Sequence, residues 1–404
     1  METALLRRSI IPLLKNPKFI LGAYIFFALA ASTGEYLKGK EFGIFTHYNN
    51  FLIFRQSFPH LIHYIDLYKN HEPEHFDFYK YSPAFAIAMA PFTLVPDLPG
   101  LIAWNLLNAL VLFFAIKSLP LKNDPAKIFI LWFILQELLT NMQSSQSNGL
   151  VVALLIFGFN KFEKGNVFFA ALFILLSAYI KIYGALALVL FLFYPDKLKF
   201  IFSCLLWVVM LTFIPLLFVS FDQLIFLYKS WYRIVAEDHA AQLQYGISLL
   251  GLIHTWFNTD PNKNILFLAG LTILCLPLIR INHYKELSFR INYFASVLIW
   301  LIIFNHRGES PTYIIAITGI AIWFFSSPKK IVDMYLVVFA FILTSLSPTD
   351  LFPRYLRTHF VVPYTLKALP CILIWIKITI DSLTPTLSKR EGEQETKNKK
   401  LQTL

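Results

Sequence analysis

Long apolar segments alternate with short polar connections along most of this chain. It has 404 residues, of which 57% are hydrophobic and only 15% charged, whereas an average soluble domain has roughly 25% charged residues. Ionisable side chains are costly in hydrocarbon, and backbone polar groups there must bond within the segment, so such segments cross membranes as helices. The sequence therefore predicts an all-α, polytopic transmembrane helical bundle.

The basic residues indicate topology. Many of them flank apolar segments, at Arg7, Arg8, Lys15, Lys18, Lys117, Lys122, Lys127, Lys197, Lys199, Lys329 and Lys330. Cytoplasmic loops of membrane proteins carry such an excess of lysine and arginine. The net charge of +11 is therefore read as membrane orientation. The lipid bilayer is the expected partner, and nucleic acid is not.

Two apolar runs, residues 83–95 and 247–257, are short for a span of about 20 residues. Treating them as re-entrant or interfacial helices places all the basic loops on one side. About twelve spans then remain, at residues 19–34, 100–119, 127–141, 147–160, 166–180, 183–194, 198–220, 264–280, 290–305, 311–325, 331–346 and 361–380. The spans beginning at 147, 166 and 183 are short and must thin the bilayer or lie inside the bundle.

This topology divides the chain into three parts. Residues 1–18 form a cytoplasmic N-terminus, and residues 19–380 form the membrane domain with large outer loops at 35–99 and 221–263. Residues 381–404 are polar, mixed in charge and without apolar periodicity, which predicts a disordered cytoplasmic tail. We expect an inner (plasma) membrane protein with both termini in the cytoplasm and an active site outside it. Its three cysteines lie in apolar segments and are expected to be packing residues.

The outer side carries short motifs in a characteristic order: Tyr48-Asn49-Asn50-Phe51, Asp66-Leu67-Tyr68, Tyr79-Lys80-Tyr81-Ser82-Pro83, Ser145-Gln146-Ser147-Asn148 and Lys181-Ile182-Tyr183. From residue 19 to about 380 the chain resembles glycosyltransferase family 87, membrane-embedded GT-C enzymes that use polyprenol-phosphate mannose. The resemblance implies transfer of a hexose, with mannose as the first expectation, from a polyprenyl-phosphate sugar to a lipid or glycan acceptor. Such transfer takes place at the extracytoplasmic face, usually with inversion.

Sugar transfer requires a carboxylate that takes the proton of the attacking hydroxyl. Family members carry an aspartate after the first span, and the matching residue here is Asn50, which cannot accept a proton in this role. The outer side offers Asp66, Asp77, Glu137 and Glu309 instead. Glu309 and Asp77 are the preferred candidates. Glu137 lies in an apolar span, so it is either functional or a buried, protonated or paired residue.

The departing lipid phosphate requires cations or hydrogen-bond donors. Lys80, Lys181, His306 and Arg307 are the candidates, because arginine matches phosphate oxygens in pairs and lysine acts as a point charge. Lys181 matches the lysine of the family's Lys-x-Tyr-Pro pattern, with Gly184 in place of proline. The alternative for Lys181 is a lysine that extends to the lipid headgroups.

Amides and phenols complete the predicted substrate site, at Tyr81, Gln146, Asn148, Tyr183 and Gln244. Gln146 and Asn148 resemble the family's Gly-Gln-x-Asn turn, with Ser145 in place of glycine, although Asn148 also suits a helix cap. Gln244 and Ser248 resemble a Gln-Ser pair that opens the second re-entrant helix, and Ser248 also suits an ordinary N-cap. An aromatic stretch at Tyr228, Trp231 and Tyr232 predicts membrane-interface anchoring.

No cofactor and no metal site are predicted. The chain has no glycine-rich phosphate loop, no CxxC, no HExxH and no Asp-x-Asp pair, so a nucleotide-dependent mechanism is disfavoured. Two other functions remain open at this stage. One is a transporter or lipid flippase, which should show symmetric repeats and midplane charges. The other is a non-catalytic relative that binds lipid-linked sugar, which Asn50 favours.

Overall fold

The computed structural model describes residues 12–41, 45–72, 74–121, 123–240, 245–326 and 329–384. Apart from a two-stranded antiparallel ribbon, β1 (Lys40–Glu41) with β2 (Phe45–Thr46), the regular structure of these residues is helical. The all-α prediction is confirmed. The helices are α1 (Pro17–Leu37), α2 (Asn49–Ile62), α3 (Pro83–Ala88), α4 (Ala90–Thr93), α5 (Asp97–Ser118), α6 (Asp124–Gln143), α7 (Asn148–Glu163), α8 (Val167–Ile180), α9 (Lys197–Phe213), α10 (Phe221–Ala240), α11 (Leu249–Phe257), α12 (Lys263–Cys275), α13 (Leu287–Ile303), α14 (Tyr313–Phe325), α15 (Ile331–Ala340), α16 (Arg354–Leu356) and α17 (Leu369–Leu383).

Shorter or differently wound helical segments connect these elements. Ile182–Phe193, Ile214–Leu217, Leu276–Ile279, Ile281–His283, Ser310–Thr312 and Leu366–Ala368 are 3₁₀ helices, whereas Phe341–Leu346 and Arg357–Val361 are π-helical.

Helices α13 and α14 form the centre of the bundle. Their side chains are buried nearly all round, as expected for helices that are apolar on every face. Gly319 brings the two backbones together, because a Cβ there would lie 2.8 Å from the Ala295 carbonyl oxygen. Helices α6 and α7 pack against α14 from the first half of the chain.

Helices α9 and α15 lie at the periphery and expose large apolar side chains. Leu198 is 72% exposed, Phe202 68% and Tyr335 69%. An apolar surface of this extent is costly in water and favourable against lipid chains. The protein therefore has the surface of a membrane protein.

The prediction of about twelve spans is not confirmed. Among the described residues, three helices are long and apolar enough to cross a membrane, namely Pro17–Leu37, Asp97–Ser118 and Lys197–Leu217. A fourth candidate is the pair Arg354–Val361 and Leu366–Leu383, which is bent by 92°. Other predicted spans are apolar helices of 10–17 residues, which are short for a full crossing.

The run predicted to span at 183–194 differs from an ordinary span. It forms the 3₁₀ helix Ile182–Phe193, which has 12 residues. At about 2.0 Å per residue this helix is about 24 Å long, whereas an α-helix with the same number of residues would be about 18 Å long. The tighter winding therefore extends a segment whose sequence is short for a bilayer.

The predicted span at 361–380 is shifted. Thr365 has a φ of +54°, in the left-handed region, so the preceding helical turns end there. Helix α17 then runs to Leu383, beyond the predicted boundary at 380; residues 385–404 of the predicted tail lie outside the described residues.

Buried polar side chains join the helices. In α5, Asn105 donates to Ser32 Oγ at 3.0 Å and to the Met142 carbonyl at 3.1 Å. Asn108 accepts from the Leu150 amide at 2.9 Å. The cysteines are free thiols, which agrees with the expected packing role.

Candidate active site

A cavity of about 1460 Å³ opens where the predicted outer loops meet. Six parts of the chain form its wall: the loop between α1 and α5, the turn before α7, the connection after α8, the end of α10, the segment from Tyr245 into α11, and the turn between α13 and α14. Most of the predicted site residues line it: Asn50, Asp77, Lys80, Tyr81, Gln146, Lys181, Tyr183, Arg307 and Glu309. Segments far apart in sequence thus converge as the motifs predicted.

Hydrogen bonds within the first loop position Asp77 and Lys80. The Asn49 side chain donates to the Phe76 carbonyl at 2.6 Å and accepts from the Phe76 amide at 2.8 Å. Asp77 itself has a φ of +76°, a strained conformation for a residue with a side chain. The Tyr68 hydroxyl donates to the Tyr81 carbonyl at 2.9 Å. These bonds hold the loop against the cavity.

Two glycines allow the turn that carries Arg307 and Glu309 to lie against the chain before α11. The Gly246 amide donates to the His306 carbonyl at 2.9 Å, and the Ile247 amide donates to the Gly308 carbonyl at 2.7 Å. A Cβ on Gly246 would lie 2.5 Å from the Gly308 nitrogen, and one on Gly308 would lie 2.4 Å from the Ile247 carbonyl. Only glycine permits this approach.

The sequence profile of glycosyltransferase family 87 matches residues 78–305, more than half of the chain. The chain belongs to glycosyltransferase family 87. A search of the curated proteins finds no match. The matched region includes Lys80, Lys181 and Gln146 and ends just before the turn that carries Glu309.

Lys181 lies at the centre of the polar wall of this glycosyltransferase. Its ammonium is 3.5 Å from Gln146 Oε1, which also accepts from the Tyr81 hydroxyl at 3.5 Å. Burial lowers the pKa of Lys181 to about 8, while the nearby Glu309 carboxylate raises it and Lys80 lowers it. Burial also raises the pKa of the Tyr81 phenol, and Glu309 adds to that rise. Glu309 therefore acts electrostatically on both residues.

Two cations of the cavity, Lys80 and Arg307, form ion pairs. The residue that joins them is Asp238, near the end of α10, which the sequence analysis missed. Its Oδ1 lies 3.1 Å from Lys80 Nζ and 2.8 Å from Arg307 Nη1. By contrast, no carboxylate of the described chain lies within 4 Å of the Lys181 ammonium. In the sequence, Asp238 could be noticed only by its position on an aromatic, basic helix in an outer segment.

His254 also lines the cavity and was not predicted. Its Nδ1 is 2.9 Å from Asp260 Oδ1 and 3.1 Å from the Thr259 carbonyl. A carbonyl only accepts, so this nitrogen carries the proton. The ring stacks on Tyr245 with centroids 3.9 Å apart, which fixes its orientation at the cavity wall.

Glu137 does not reach the cavity, and its paired interpretation is correct. The carboxylate is fully buried and lies 3.0 Å from Lys367 Nζ. The same ammonium donates to Ser310 Oγ at 2.8 Å. Glu137 is therefore an ion-pair partner that supports the residue next to Glu309, and the prediction of a catalytic base at Glu137 is not supported.

Asp66 and His306 also lie away from the cavity wall. Asp66 is 8% exposed and accepts from the Ser230 hydroxyl at 3.0 Å, with Arg233 Nη2 at 3.6 Å; it joins the first loop to α10. His306 lines a separate cavity of about 230 Å³, whereas Arg307 lines the large one.

Asn148 supports the site from behind. Its amide donates to the Pro311 carbonyl at 3.1 Å, and its Oδ1 accepts from the Tyr183 hydroxyl at 3.4 Å. The Asn148 side chain therefore does not cap α7. The backbone amide of Asn148 is itself bonded by another residue, since it donates to Asn141 Oδ1 at 3.2 Å.

The remaining predictions have mixed outcomes. Gln244 lies outside the described residues. Ser248 is an N-cap, since its Oγ accepts from the Gly251 amide at 3.2 Å. Trp231 faces the protein and donates to the Lys80 carbonyl at 3.1 Å, whereas Tyr232 is 76% exposed as interfacial anchoring requires.

Proposed function

We propose that this glycosyltransferase moves a hexose, with mannose as the first candidate, from a polyprenyl-phosphate sugar to a lipid or glycan acceptor at the extracytoplasmic face. Both termini would then be cytoplasmic, and the predicted spans that are short would cross within the bundle. The observation that carries the proposal is the Lys181 ammonium, which faces a large cavity beside Glu309 without a carboxylate partner of its own among the described residues.

The cavity supplies the groups that this reaction needs. A hydroxyl oxygen of the acceptor attacks the anomeric carbon as the bond from that carbon to the phosphate oxygen breaks. The phosphate leaves with the bonding electrons, and Lys181, Lys80 and Arg307 stabilise its charge. A carboxylate takes the hydroxyl proton, and the cavity exposes two of the predicted candidates, Glu309 and Asp77.

Glu309 is the better base. It lies close enough to Lys181 and Tyr81 to affect the pKa of both, so it shares the place where the phosphate would bind. Asp77 lies 3.9 Å from Lys80. It raises the pKa of Tyr81 less than Glu309 does and is not among the charges that shift the pKa of Lys181, so it acts less on the groups proposed to meet the phosphate.

The test is transfer from a radiolabelled polyprenyl-phosphate sugar to a membrane lipid extract by the purified full chain. Glu309→Gln should lower the rate by about 10² to 10⁴-fold while leaving the binding of lipid phosphate nearly unchanged. Asp77→Asn should have a smaller effect. Glu72→Gln is the matched control, because Glu72 is an exposed carboxylate that lies in the same loop as Asp77 but does not line the cavity. Full activity in Glu309→Gln with loss in Asp77→Asn would reverse the assignment.

Asn50 favours a second candidate, a relative that binds lipid-linked sugar without turning it over. Its amide donates to the Ser144 carbonyl at 2.9 Å and so serves to hold the first loop. In an active enzyme with a relocated base, Asn50→Ala should retain transfer. Binding of lipid phosphate by the wild-type chain without transfer to any acceptor would instead establish the binding protein.

A further inference from the structure

Asp238 lies between two cations from distant parts of the chain. Lys80 belongs to the first loop and Arg307 to the turn after α13, and one carboxylate oxygen is 3.1 Å from the first and 2.8 Å from the second. Their two nitrogens are therefore no more than about 6 Å apart. Two cations at this spacing bind an anion placed between them. In the chain alone, a carboxylate occupies that place.

The pairing with Asp238 leaves Arg307 incompletely satisfied. Its Nη1 lies 2.8 Å from Asp238 Oδ1. Its Nε is buried, and no group in the described parts of the chain accepts a hydrogen bond from it. A buried donor without an acceptor is unfavourable. A group with several oxygens, such as phosphate, can accept from Nε as well as from Nη1.

Helix α10 is fastened upstream of Asp238. Ser230 and Trp231 hydrogen-bond to Asp66 and to the Lys80 carbonyl, at 3.0 and 3.1 Å. Asp238 lies two turns further along, and its side chain is 26% exposed. Its carboxylate can therefore leave the two cations while the body of the helix stays in place.

We propose that Asp238 is an internal competitor for the phosphate: it holds Lys80 and Arg307 together until the phosphate of the lipid-linked sugar binds and displaces it. The inference rests on the proposed function for the identity of the lipid. Displacement requires that the lipid phosphate bind better than the carboxylate does. The phosphodiester of the donor carries one negative charge, as the carboxylate does, so its advantage comes from further contacts, with Lys181 and with the unpaired Nε of Arg307. The prenyl phosphate that remains after transfer is a monoester with a higher charge.

The experiment measures binding of a short prenyl phosphate without sugar to the full chain by calorimetry. In wild type the phosphate must break both ion pairs of Asp238, and each partly exposed pair is worth about 0.2–1 kcal/mol. Asp238→Asn removes both pairs, so it should bind the prenyl phosphate about twofold to thirtyfold more tightly than wild type. High salt should reduce the difference. Glu237→Gln is the control, since Glu237 lines the same cavity and forms no ion pair with described residues; its affinity should stay within twofold.

Arg307→Gln should weaken binding, and adding Asp238→Asn to it should yield less tightening than in wild type. Melting temperatures of all variants verify folding. Unchanged or weaker binding in folded Asp238→Asn would overturn the proposal and make Asp238 a support for the cations. Tightening for inorganic phosphate as well would assign the competition to phosphate alone, and tightening only for the prenyl ester would assign it to the lipid. This experiment measures binding and not sugar transfer. Failure of the proposed reaction would therefore appear in the transfer assay and is distinguishable from failure of the displacement by phosphate.

Discussion

Ser145 adopts a left-handed backbone conformation, with a φ of +52°, where the family's Gly-Gln-x-Asn turn has glycine. Its carbonyl accepts from Trp104 Nε1 at 2.9 Å, so the strained turn is tied to α5. Its buried hydroxyl has no hydrogen-bond partner in the described part of the chain. Glycine relieves such strain because it lacks the Cβ that disfavours positive φ. The serine therefore keeps a glycine conformation at a cost in stability.

Ser145→Gly should stabilise the protein by about 1 kcal/mol, because it removes both the backbone strain and an unpaired buried hydroxyl. Thermal unfolding in detergent measures the change. Ser147→Gly is the matched control: the hydroxyl of Ser147 is buried in the same way, but its φ is −90°. Glycine there relieves no backbone strain and costs about 0.5–1 kcal/mol in backbone entropy, so this variant should be less stable than Ser145→Gly. If both variants lower the melting temperature equally, the backbone at Ser145 is not strained.

At the scale of a structural element, three neighbouring histidines help to hold the loop between α1 and α5 together. The rings of His60 and His71 have centroids 4.1 Å apart, and those of His71 and His75 5.8 Å apart. Burial, His71 and His60 lower the pKa of His75 to about 4, and burial also lowers the pKa of His60, although Glu74 raises it. The folded loop therefore needs neutral imidazoles.

Acid should open this loop. In the open loop His75 has an ordinary pKa of about 6.5 and takes up a proton below it, whereas in the folded loop the pKa is about 4. Stability is thus complete above about pH 6.5 and falls by about 2 kcal/mol as the pH approaches 4.5. Hydrogen exchange of residues 45–97 between pH 7.5 and 4.5 measures the change.

His75→Gln should flatten this dependence. His63→Gln, which alters an exposed histidine of the same segment, should leave it intact. Equal protection of the wild-type loop at both pH values would contradict the role of the cluster.

At the scale of the whole molecule, the Glu137–Lys367 pair joins the two halves of the chain. The partners are 230 positions apart in sequence, and the side chains are 0% and 4% exposed. Lys367 also reaches Ser310, next to Glu309. A buried pair of this kind costs desolvation when it forms, but loss of one partner leaves a buried charge uncompensated.

Lys367→Met should therefore destabilise the protein by about 3–5 kcal/mol and lower transfer with it. The double variant Glu137→Gln with Lys367→Met should recover much of that loss, because no unpaired charge remains. Unfolding of the single and double variants measures the coupling. Additive losses would show that the two residues act independently.

Local physical chemistry determined most of the architecture. The cost of charge and of unpaired backbone in hydrocarbon is a property of each segment, so hydropathy alone predicted helices at the apolar runs and polar residues at one face. The number of membrane spans was harder to predict from the sequence. A 3₁₀ segment such as Ile182–Phe193 has a different length from the α-helix that the apolar run implies.

Which charges meet was decided by the tertiary structure. Glu137 and Glu309 are both glutamates near apolar segments, yet one is sealed against Lys367 and the other faces the cavity. Asp238 stands out in the sequence only by its position on an aromatic, basic helix, and its importance comes from Lys80 and Arg307 lying beside it. The sequence could indicate that carboxylates and cations share one side of the protein. Their pairing depends on distances of a few ångströms between segments that only folding brings together.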